Sequence, residues 1–173
     1  ILWIDEIEKA FSSQSGTDGG TSRRMFGSFL TWMQEKSGEV FVFASANDIS
    51  SLPPELLRKG RFDEIFFVDL PHHEVRKDIF ALHLPKRQFD LRSFDLDALA
   101  GAAEGFSGAE IEQAVLSALF TSLADEVPVT DDLVINEIKS TRPLSVTMAE
   151  KVGALREWAK ERAVFVDQPP TRL

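Results

Sequence analysis

The amino-acid sequence predicts an α/β protein, with part of a parallel sheet in residues 1–72 and an all-helical subdomain in residues 73–173. Three short apolar runs support the sheet, at residues 1–4, 40–44 and 65–68. β-Branched and aromatic residues dominate these runs, as in strands that are buried on both faces of a parallel sheet. The segments between the runs give the strand and helix alternation of an α/β sheet with right-handed crossovers.

The segment between the first two runs divides into a loop and a helix. Residues 12–22 are rich in Gly, Ser and Thr, which predicts a flexible loop. The apolar residues that follow are spaced as one face of an amphipathic helix. They are Met25, Phe26, Phe29, Leu30 and Met33. A short helix and a turn are expected over residues 52–63.

Helical periodicity without a strand pattern follows Pro71, which places a domain boundary near residues 71–74. Ser107 and Glu110 have the spacing of a capping box, which predicts the start of a helix. The apolar stripe of that helix is expected to form the core of its own subdomain rather than a groove for a partner. The stripe is Ile111, Val115, Ala118 and Leu119, and the predicted helices span residues 75–84, 96–103, 109–124, 131–139 and 148–163.

Composition excludes several classes of function. The 173 residues carry a net charge of -9, which argues against nucleic acid as a partner, since binding to phosphates needs clustered Lys and Arg. The absence of cysteine excludes disulfides and thiolate metal sites. The apolar runs are too short to cross a bilayer, so no membrane association is expected. We expect a soluble intracellular protein whose last residues, 167–173, are frayed.

An acidic pair, Asp5 and Glu6, ends the first apolar run. Open α/β sheets bind ligands at the carboxyl ends of their strands. There, one carboxylate can hold Mg²⁺ through water, and its neighbour can polarise a water for attack on phosphorus. These few residues are equally consistent with a strand that ends in two solvated acids.

Asn47 and Arg61 are the other candidates for phosphate chemistry. Asn47 follows the second apolar run, where a neutral amide beside the acids can orient a water, although an isolated Asn at a strand end usually forms a turn. Arg61 follows Gly60 on a turn, and its guanidinium suits phosphate oxygens, although a surface residue in a basic turn is the favoured interpretation of an Arg that stands alone. His72 and His73 are expected to start a helix rather than to bind a metal.

Taken together, these motifs resemble the AAA family of ATPases in order and spacing, over nearly the whole chain. Residues 1–6 resemble its Walker B strand, Asn47 its sensor-1 position, and residues 52–63 its arginine-finger region. Residues 105–110 resemble its sensor-2 segment, where Gly108 and Ala109 let the backbone approach the adenosine.

The resemblance implies ATP and Mg²⁺ as cofactors and a role for each candidate residue. Asp5 would hold Mg²⁺ through water, Glu6 would activate the attacking water, and Asn47 would hold that water or the γ-phosphate. Arg61 would act in trans on a neighbouring subunit, in a ring of identical subunits that remodels a protein substrate. Such a finger contributes ~10³ or more in rate.

Some positions are ambiguous or depart from the family. Arg23 and Arg24 are either interface residues or a solvated helix start, with equal weight. Glu64 stands where many members have a second arginine, and Arg58 is a candidate replacement. Residues 32–36, 56–64 and 143–150 resemble the uncharacterised AAA proteins encoded as a hypothetical chloroplast reading frame, which adds a plastid stroma to the cytoplasm as an expected compartment.

The motif G-x-x-x-x-G-K-[ST], whose backbone amides and Lys hold phosphates, does not occur in residues 1–173. We therefore expect the isolated chain to be a truncated, inactive half-site that closes its sheet by rearrangement or by pairing with a second copy. The alternative function is a nucleotide-independent interaction or assembly module. A nucleic-acid-directed member resembling the clamp loaders is a third interpretation, which the acidic charge disfavours.

Overall fold

The structure is a computed structural model that describes residues 1–11, 19–35, 38–58 and 60–166, with the side chains of 11 and 19–23 left out. The chain forms two compact units, Ile1–Ile65 and Phe66–Leu173. Among the described residues, no helix has the length and apolar character needed to cross a membrane.

The first unit is a two-stranded parallel sheet with helices between its strands. Strand β1 (Leu2–Ile4) pairs with β2 (Val42–Ala44), and Trp3 is opposite Phe43. Helices α1 (Ile7–Phe11) and α2 (Gly19–Glu35) lie between the strands in sequence. The sequence patterns predict α2, whereas α1 is not predicted. After β2 come a 3-10 turn (Ile49–Ser51) and a series of turns over residues 54–57, where the sequence suggests a short helix.

The core of the first unit lies on one face of this sheet. Ile7, Leu52 and Leu56 are buried there. Partly buried apolar residues pack around them: Ile4, Phe26, Phe29, Leu30, Ala44, Ile49, Leu57 and Phe62. This unit therefore builds its core from α2, the turn after β2 and one side of the strands.

The predicted burial of the strands on both faces is wrong for this chain. Trp3 and Phe43 lie edge to face, 5.4 Å apart, on the other side of the sheet. Trp3 is 68% exposed and Phe43 is 47% exposed. Short apolar runs alone cannot distinguish strands that are covered on one face from strands that are covered on both.

Helix α2 also differs from the prediction. It begins at Gly19, so residues 19–22 of the predicted loop are helical, while residues 12–18 lie outside the described part of the chain. Of the predicted apolar face, Met33 is buried and Met25 is 54% exposed. The helix therefore presents a narrower apolar stripe than the sequence suggests.

The second unit consists mainly of helices. They are α3 (His73–Lys86), α4 (Leu96–Ala102), α5 (Gly108–Asp125), α6 (Asp131–Ser140), α7 (Leu144–Thr147) and α8 (Ala149–Lys160). Asp95, Ser107 and Thr130 cap α4, α5 and α6 by accepting hydrogen bonds from backbone N–H groups. The predicted capping box of Ser107 and Glu110 is confirmed.

Helices α3 to α6 enclose the core of the second unit. Its buried residues are Phe80, Leu84, Leu99, Ala103, Phe106, Ile111, Ala114, Val115, Ala118, Val134 and Ile138. The prediction that Ile111, Val115 and Ala118 form this core is confirmed, and Leu119 is partly buried.

A second parallel pair joins β3 (Phe66–Phe67) and β4 (Val164–Phe165). Only β3 is predicted, because the run at residues 164–166 is too short to indicate a strand by itself. Phe67 is opposite Phe165, with the two rings 4.9 Å apart. Phe66 is 60% exposed, so this strand too is covered on one face only. Pairing with β4 places β3 in the second unit, and the division of domains at residue 72 stays a prediction. The α/β class itself is confirmed, while residues 167–173 lie outside the description.

Candidate functional site

The carboxyl ends of β1 and β2 meet, as neighbouring parallel strands require. The N–H of Ser45 donates to the carbonyl of Ile4 at 2.9 Å, and the N–H of Ile7 donates to the carbonyl of Ser45 at 2.9 Å. These two bonds extend the pairing beyond the last strand residues. They bring the segment with Asp5 and Glu6 beside the segment with Ser45 and Asn47.

Ser45 joins the two acidic residues through its hydroxyl group. The Oγ donates to Oδ1 of Asp5 and accepts the backbone N–H of Glu6 at 3.0 Å. One small side chain therefore fixes both the Asp5 carboxylate and the Glu6 backbone. Sequence reasoning missed Ser45, although its position directly after the second strand could have indicated it.

Glu6 has an unusual backbone conformation, with a φ of 49° in the left-handed region. Residues other than glycine rarely adopt this region, and it is enriched at functional sites. Its side chain has two donors: Nδ2 of Asn47 lies 2.9 Å from Oε1, and Nζ of Lys9 lies 2.6 Å from Oε2. The predicted proximity of Asn47 to the acids is therefore present in the structure.

Glu8 supports Asn47 from the interior. It is only 6% exposed, and its Oε1 accepts the backbone N–H of Asn47 at 3.1 Å. Its buried Oε2 has no hydrogen-bond partner among the described residues. A buried carboxylate oxygen without a donor is costly, so Glu8 departs from the usual pairing of buried polar groups.

Lys9 brings a positive charge to this acidic cluster. The hydrogen bond to Glu6 and the negative charge of Glu6 raise the pKa of Lys9 above its ordinary value, and Glu8 and Asp5 add to the effect. Sequence reasoning missed both Glu8 and Lys9. Their positions two and three residues after Glu6, in a helix that follows directly, were the available signal.

Arg61 does not join this cluster in the structure. Its Nη1 donates to the backbone carbonyl of Glu55, within the same turn region, and the side chain is partly buried. Gly60 before it has a φ of 90°, a conformation that glycine adopts without strain. The turn thus holds the guanidinium close to its own chain, and a role in trans stays a prediction.

Gly108 and Ala109 lie in the second unit, in the first turn of α5. A Cβ built on Gly108 would lie 3.6 Å from Cδ1 of Ile79, which is an ordinary contact. Packing within this unit therefore does not demand glycine at position 108. A role for both residues beside an adenosine stays a prediction.

The start of α5 is tied to α7 through Glu110. Its Oε2 accepts the N–H of Ser107 at 2.8 Å, and its Oε1 accepts the N–H of Leu144 at 2.7 Å. Burial of the carboxylate acts to raise its pKa, but the hydrogen bonds from Ser107 and Leu144 outweigh burial and lower the pKa of Glu110. Gly105 also approaches α7 closely, at Ser145.

Arg24 of α2 lines a groove that does not include the acidic cluster. Arg24 is exposed and lines an open groove of about 1000 Å³ together with Trp32, Glu35 and Val40. None of Asp5, Glu6 and Asn47 lines this groove. The side chain of Arg23 lies outside the described part of the structure.

A second group of ionisable residues surrounds the start of α3. His72 occupies the N-cap position of that helix without a capping hydrogen bond from its side chain, and His73 begins the helix, as expected. Ligand atoms of His73, Glu74 and Asp97 lie within 4.8 Å of one another. Lys77 already fills this space, with its Nζ 2.9 Å from Asp97 and 3.5 Å from Glu74. Its hydrogen bond, with that of His73, lowers the pKa of Asp97.

The acidic cluster has ligand types that suit Mg²⁺. Mg²⁺ prefers carboxylate oxygens and keeps several waters. Asp5 is exposed, and only its Oδ1 has a bond to Ser45. It can therefore take part in a water-mediated site, while Glu6, which is bonded to Asn47 and Lys9, cannot easily turn toward a metal.

Comparisons with known proteins assign the chain to a family. A family described as "ATPase family associated with various cellular activities (AAA)" matches residues 1–70. An "Uncharacterized AAA domain-containing protein ycf46" from Pyropia yezoensis is 49% identical over 161 residues, which are 92% of this chain and 33% of that protein. The chain belongs to the AAA family.

Two further similarities extend this assignment. The protein of the same description from Guillardia theta is 45% identical over 92% of this AAA chain and 32% of its own length. The AAA domain of FIGL-1, in a crystal structure with ADP, has a TM-score of 0.72 and 21% identity, and covers 93% of this chain and 57% of its own. The latter similarity shows the fold alone. The AAA chain spans about one third of the length of the two ycf46 relatives.

Proposed function

We propose that this chain is the hydrolysis half of an AAA ATPase that uses ATP to remodel a macromolecular partner. The contact between Asn47 and Glu6, 2.9 Å long and next to Asp5 at the ends of two parallel strands, carries the proposal. It brings the neutral amide of Asn47 to the carboxylate of Glu6, beside the carboxylate of Asp5, at the strand ends where α/β sheets bind their ligands. Membership of a family described as ATPases supports it.

The residues divide the work by their chemistry. Asp5 would hold Mg²⁺ through water, and the ion would supply charge neutralisation at the phosphates. Glu6 takes a proton from the attacking water, and Asn47 orients that water or the γ-phosphate. Gly108 and Ala109 lie beside the adenosine. Arg61 acts on the phosphate that a neighbouring identical subunit binds, within a ring, and Arg58 is a candidate second finger.

The isolated chain is expected to be inactive. Residues 1–173 contain no G-x-x-x-x-G-K-[ST] motif, so no backbone cradle for the phosphates is recognisable. Titration of the isolated chain with a fluorescent ATP analogue and Mg²⁺ should give no detectable binding. Micromolar binding would mean that the chain contains a phosphate site without this motif.

The enzymatic proposal is tested by measuring ATP hydrolysis with the protein at its natural length. Wild-type protein should hydrolyse ATP, and Glu6→Gln should bind ATP but lose hydrolysis, because an amide cannot accept the proton. Glu55→Gln, an acid of the Arg61 turn that acts through its backbone carbonyl, is the matched control and should keep activity. A Glu6→Gln variant with wild-type turnover would overturn the proposal.

The trans role of Arg61 is tested by mixing inactive variants. Glu6→Gln and Arg61→Ala subunits should each lack activity, and a mixed ring should regain part of it. In that ring, some sites combine an intact Glu6 with an intact Arg61 from the neighbour. Glu6→Gln mixed with Asn47→Ala is the control: it should show no gain over the residual activity of the Asn47→Ala subunits, because both residues act in one subunit. A ring of Arg61→Ala that hydrolyses ATP normally would contradict the role.

The second candidate function is a nucleotide-independent interaction module. Exposed apolar residues in and next to the first sheet favour it, since Trp3 in β1 is 68% exposed and Phe41, directly before β2, is 66% exposed. This candidate predicts that Glu6→Gln leaves cellular function intact. The expected compartment is the cytoplasm or a plastid stroma, and the net charge of -9 disfavours nucleic acid as the partner.

A further inference from the structure

Lys9 reaches the carboxylate of Glu6 from the helix that follows it. Helix α1 begins at Ile7, and Lys9 lies one turn after Glu6. The backbone N–H of Lys9 donates to the carbonyl of Glu6 at 2.8 Å, and its Nζ lies 2.6 Å from Oε2. The same two residues are therefore joined through their backbones and through their side chains.

Asn47 holds the other oxygen of the same carboxylate. Its Nδ2 lies 2.9 Å from Oε1, and its backbone N–H is fixed by the buried Glu8. Donors from two different segments thus bracket Glu6. Such a pair of donors fixes the rotation of the carboxylate, and the charged donor gives the stronger bond of the two.

The ion pair between Lys9 and Glu6 is expected to contribute little to the free energy of unfolding. The side chain of Lys9 is 69% exposed and that of Glu6 is 34% exposed. Exposed ion pairs of this kind contribute little to folding. The rate at which a general base takes a proton, in contrast, depends on the orientation of its carboxylate, because proton transfer requires a hydrogen bond of good geometry to the attacking water.

We propose that Lys9 is a positioning residue that, together with Asn47, aims the carboxylate of Glu6 at the attacking water. This inference rests on the proposed ATPase function. Lys9 acts through Glu6 and is not expected to touch the nucleotide. Its loss therefore lowers the rate of the chemical step and leaves the binding of ATP unchanged.

The test measures kcat and KM for ATP in the protein at its natural length. Lys9→Met should lower kcat about tenfold, a part of what a general base contributes, with KM unchanged. Lys9→Arg keeps a cationic donor and should recover most of the rate. Lys139→Met, at an exposed position in the last turn of α6, is the control and should behave as wild type.

Each outcome decides between the alternatives. Equal loss of rate in Lys9→Met and Lys9→Arg, or a kcat of Lys9→Met equal to wild type, would overturn the positioning role. A rise in kcat would also overturn it, since Lys9 would then restrain Glu6. Wild-type protein without any hydrolysis would instead overturn the proposed function, and this inference with it. Thermal unfolding of the variants, expected to be unchanged, separates these effects from misfolding.

Discussion

The side-chain amide of Asn47 lies 2.9 Å from Oε1 of Glu6, although the two residues are 41 positions apart in sequence. The parallel pairing of β1 with β2 creates this contact, because it aligns the ends of the two strands. It is the contact on which the proposed hydrolysis chemistry depends most directly.

Removal of the Asn47 amide should impair hydrolysis without affecting the fold. We expect Asn47→Ala to lower kcat by ~10- to 100-fold, because Glu6 and its water lose one orienting donor. The free energy of unfolding should change by less than about 0.5 kcal/mol, since the side chain is exposed. Steady-state ATP hydrolysis and urea unfolding measure the two effects. Asn136→Ala on α6 serves as the control, and unchanged turnover in Asn47→Ala would contradict the assigned role.

Ser45 should matter for the stability of the first unit. Ser45→Ala removes the acceptor of the Glu6 N–H and the donor to Asp5, so we expect a loss of about 1 kcal/mol in the free energy of unfolding. Urea unfolding followed by tryptophan fluorescence measures it, with Ser51→Ala as the control at a nearby exposed position. If both variants unfold at the same urea concentration, the bonds of Ser45 do not stabilise the chain.

Substitution by alanine at two glycines of the second unit should change the free energy of unfolding in opposite directions. Gly105 has a φ of 79°, and a Cβ there would lie 2.7 Å from Oγ of Ser145. We expect Gly105→Ala to destabilise by about 1–2 kcal/mol from the backbone conformation alone, and by more from the contact. Gly101 lies within α4 with nothing within 4 Å, so Gly101→Ala should stabilise by about 0.5–1 kcal/mol.

Thermal and urea unfolding of the two glycine variants test this contrast. Ser145→Ala combined with Gly105→Ala should recover the part of the loss that comes from the contact with Oγ. Equal effects of the two single substitutions would show that backbone conformation at Gly105 is unimportant for stability.

The Glu110 bonds should make stability depend on pH. The pKa of Glu110 is lowered from 4.5 in the folded state, so its contribution is complete above the unfolded value and is lost as the pH falls through the folded value. Glu110→Ala should destabilise by about 1 kcal/mol at pH 7, and the difference from wild type should shrink below about pH 4.5.

Unfolding by urea at pH 7 and at several lower pH values measures that difference. Glu104→Ala, at an exposed position before the same helix, is the control. A difference between wild type and Glu110→Ala that stays constant down to the lowest pH would show that the charge of Glu110 has no part in the capping.

Local sequence signals were sufficient for much of the molecule. The alternation of apolar runs and helical periodicity predicts β1, α2, β2, α3 to α6 and α8, because each depends on residues close together in the chain, whereas the short helix α7 is not predicted. Ser107 and Glu110 predict the start of α5 for the same reason. The choice of Asp5, Glu6 and Asn47 as candidates needs only their positions directly after strands.

Other features depend on contacts between distant residues, which no local pattern reports. Strand β4 forms because Phe165 packs against Phe67, and the exposure of Trp3 depends on which face of the sheet α2 covers.

The sequence by itself determined where the elements lie and which residues have the right chemistry, because propensity and periodicity act over a few residues. Only the tertiary structure decided that Ser45 joins Asp5 to Glu6, and that Lys9 and Asn47 hold the two oxygens of one carboxylate. Hydrogen bonds form within about 3 Å, and that distance is set by strand pairing and side-chain direction.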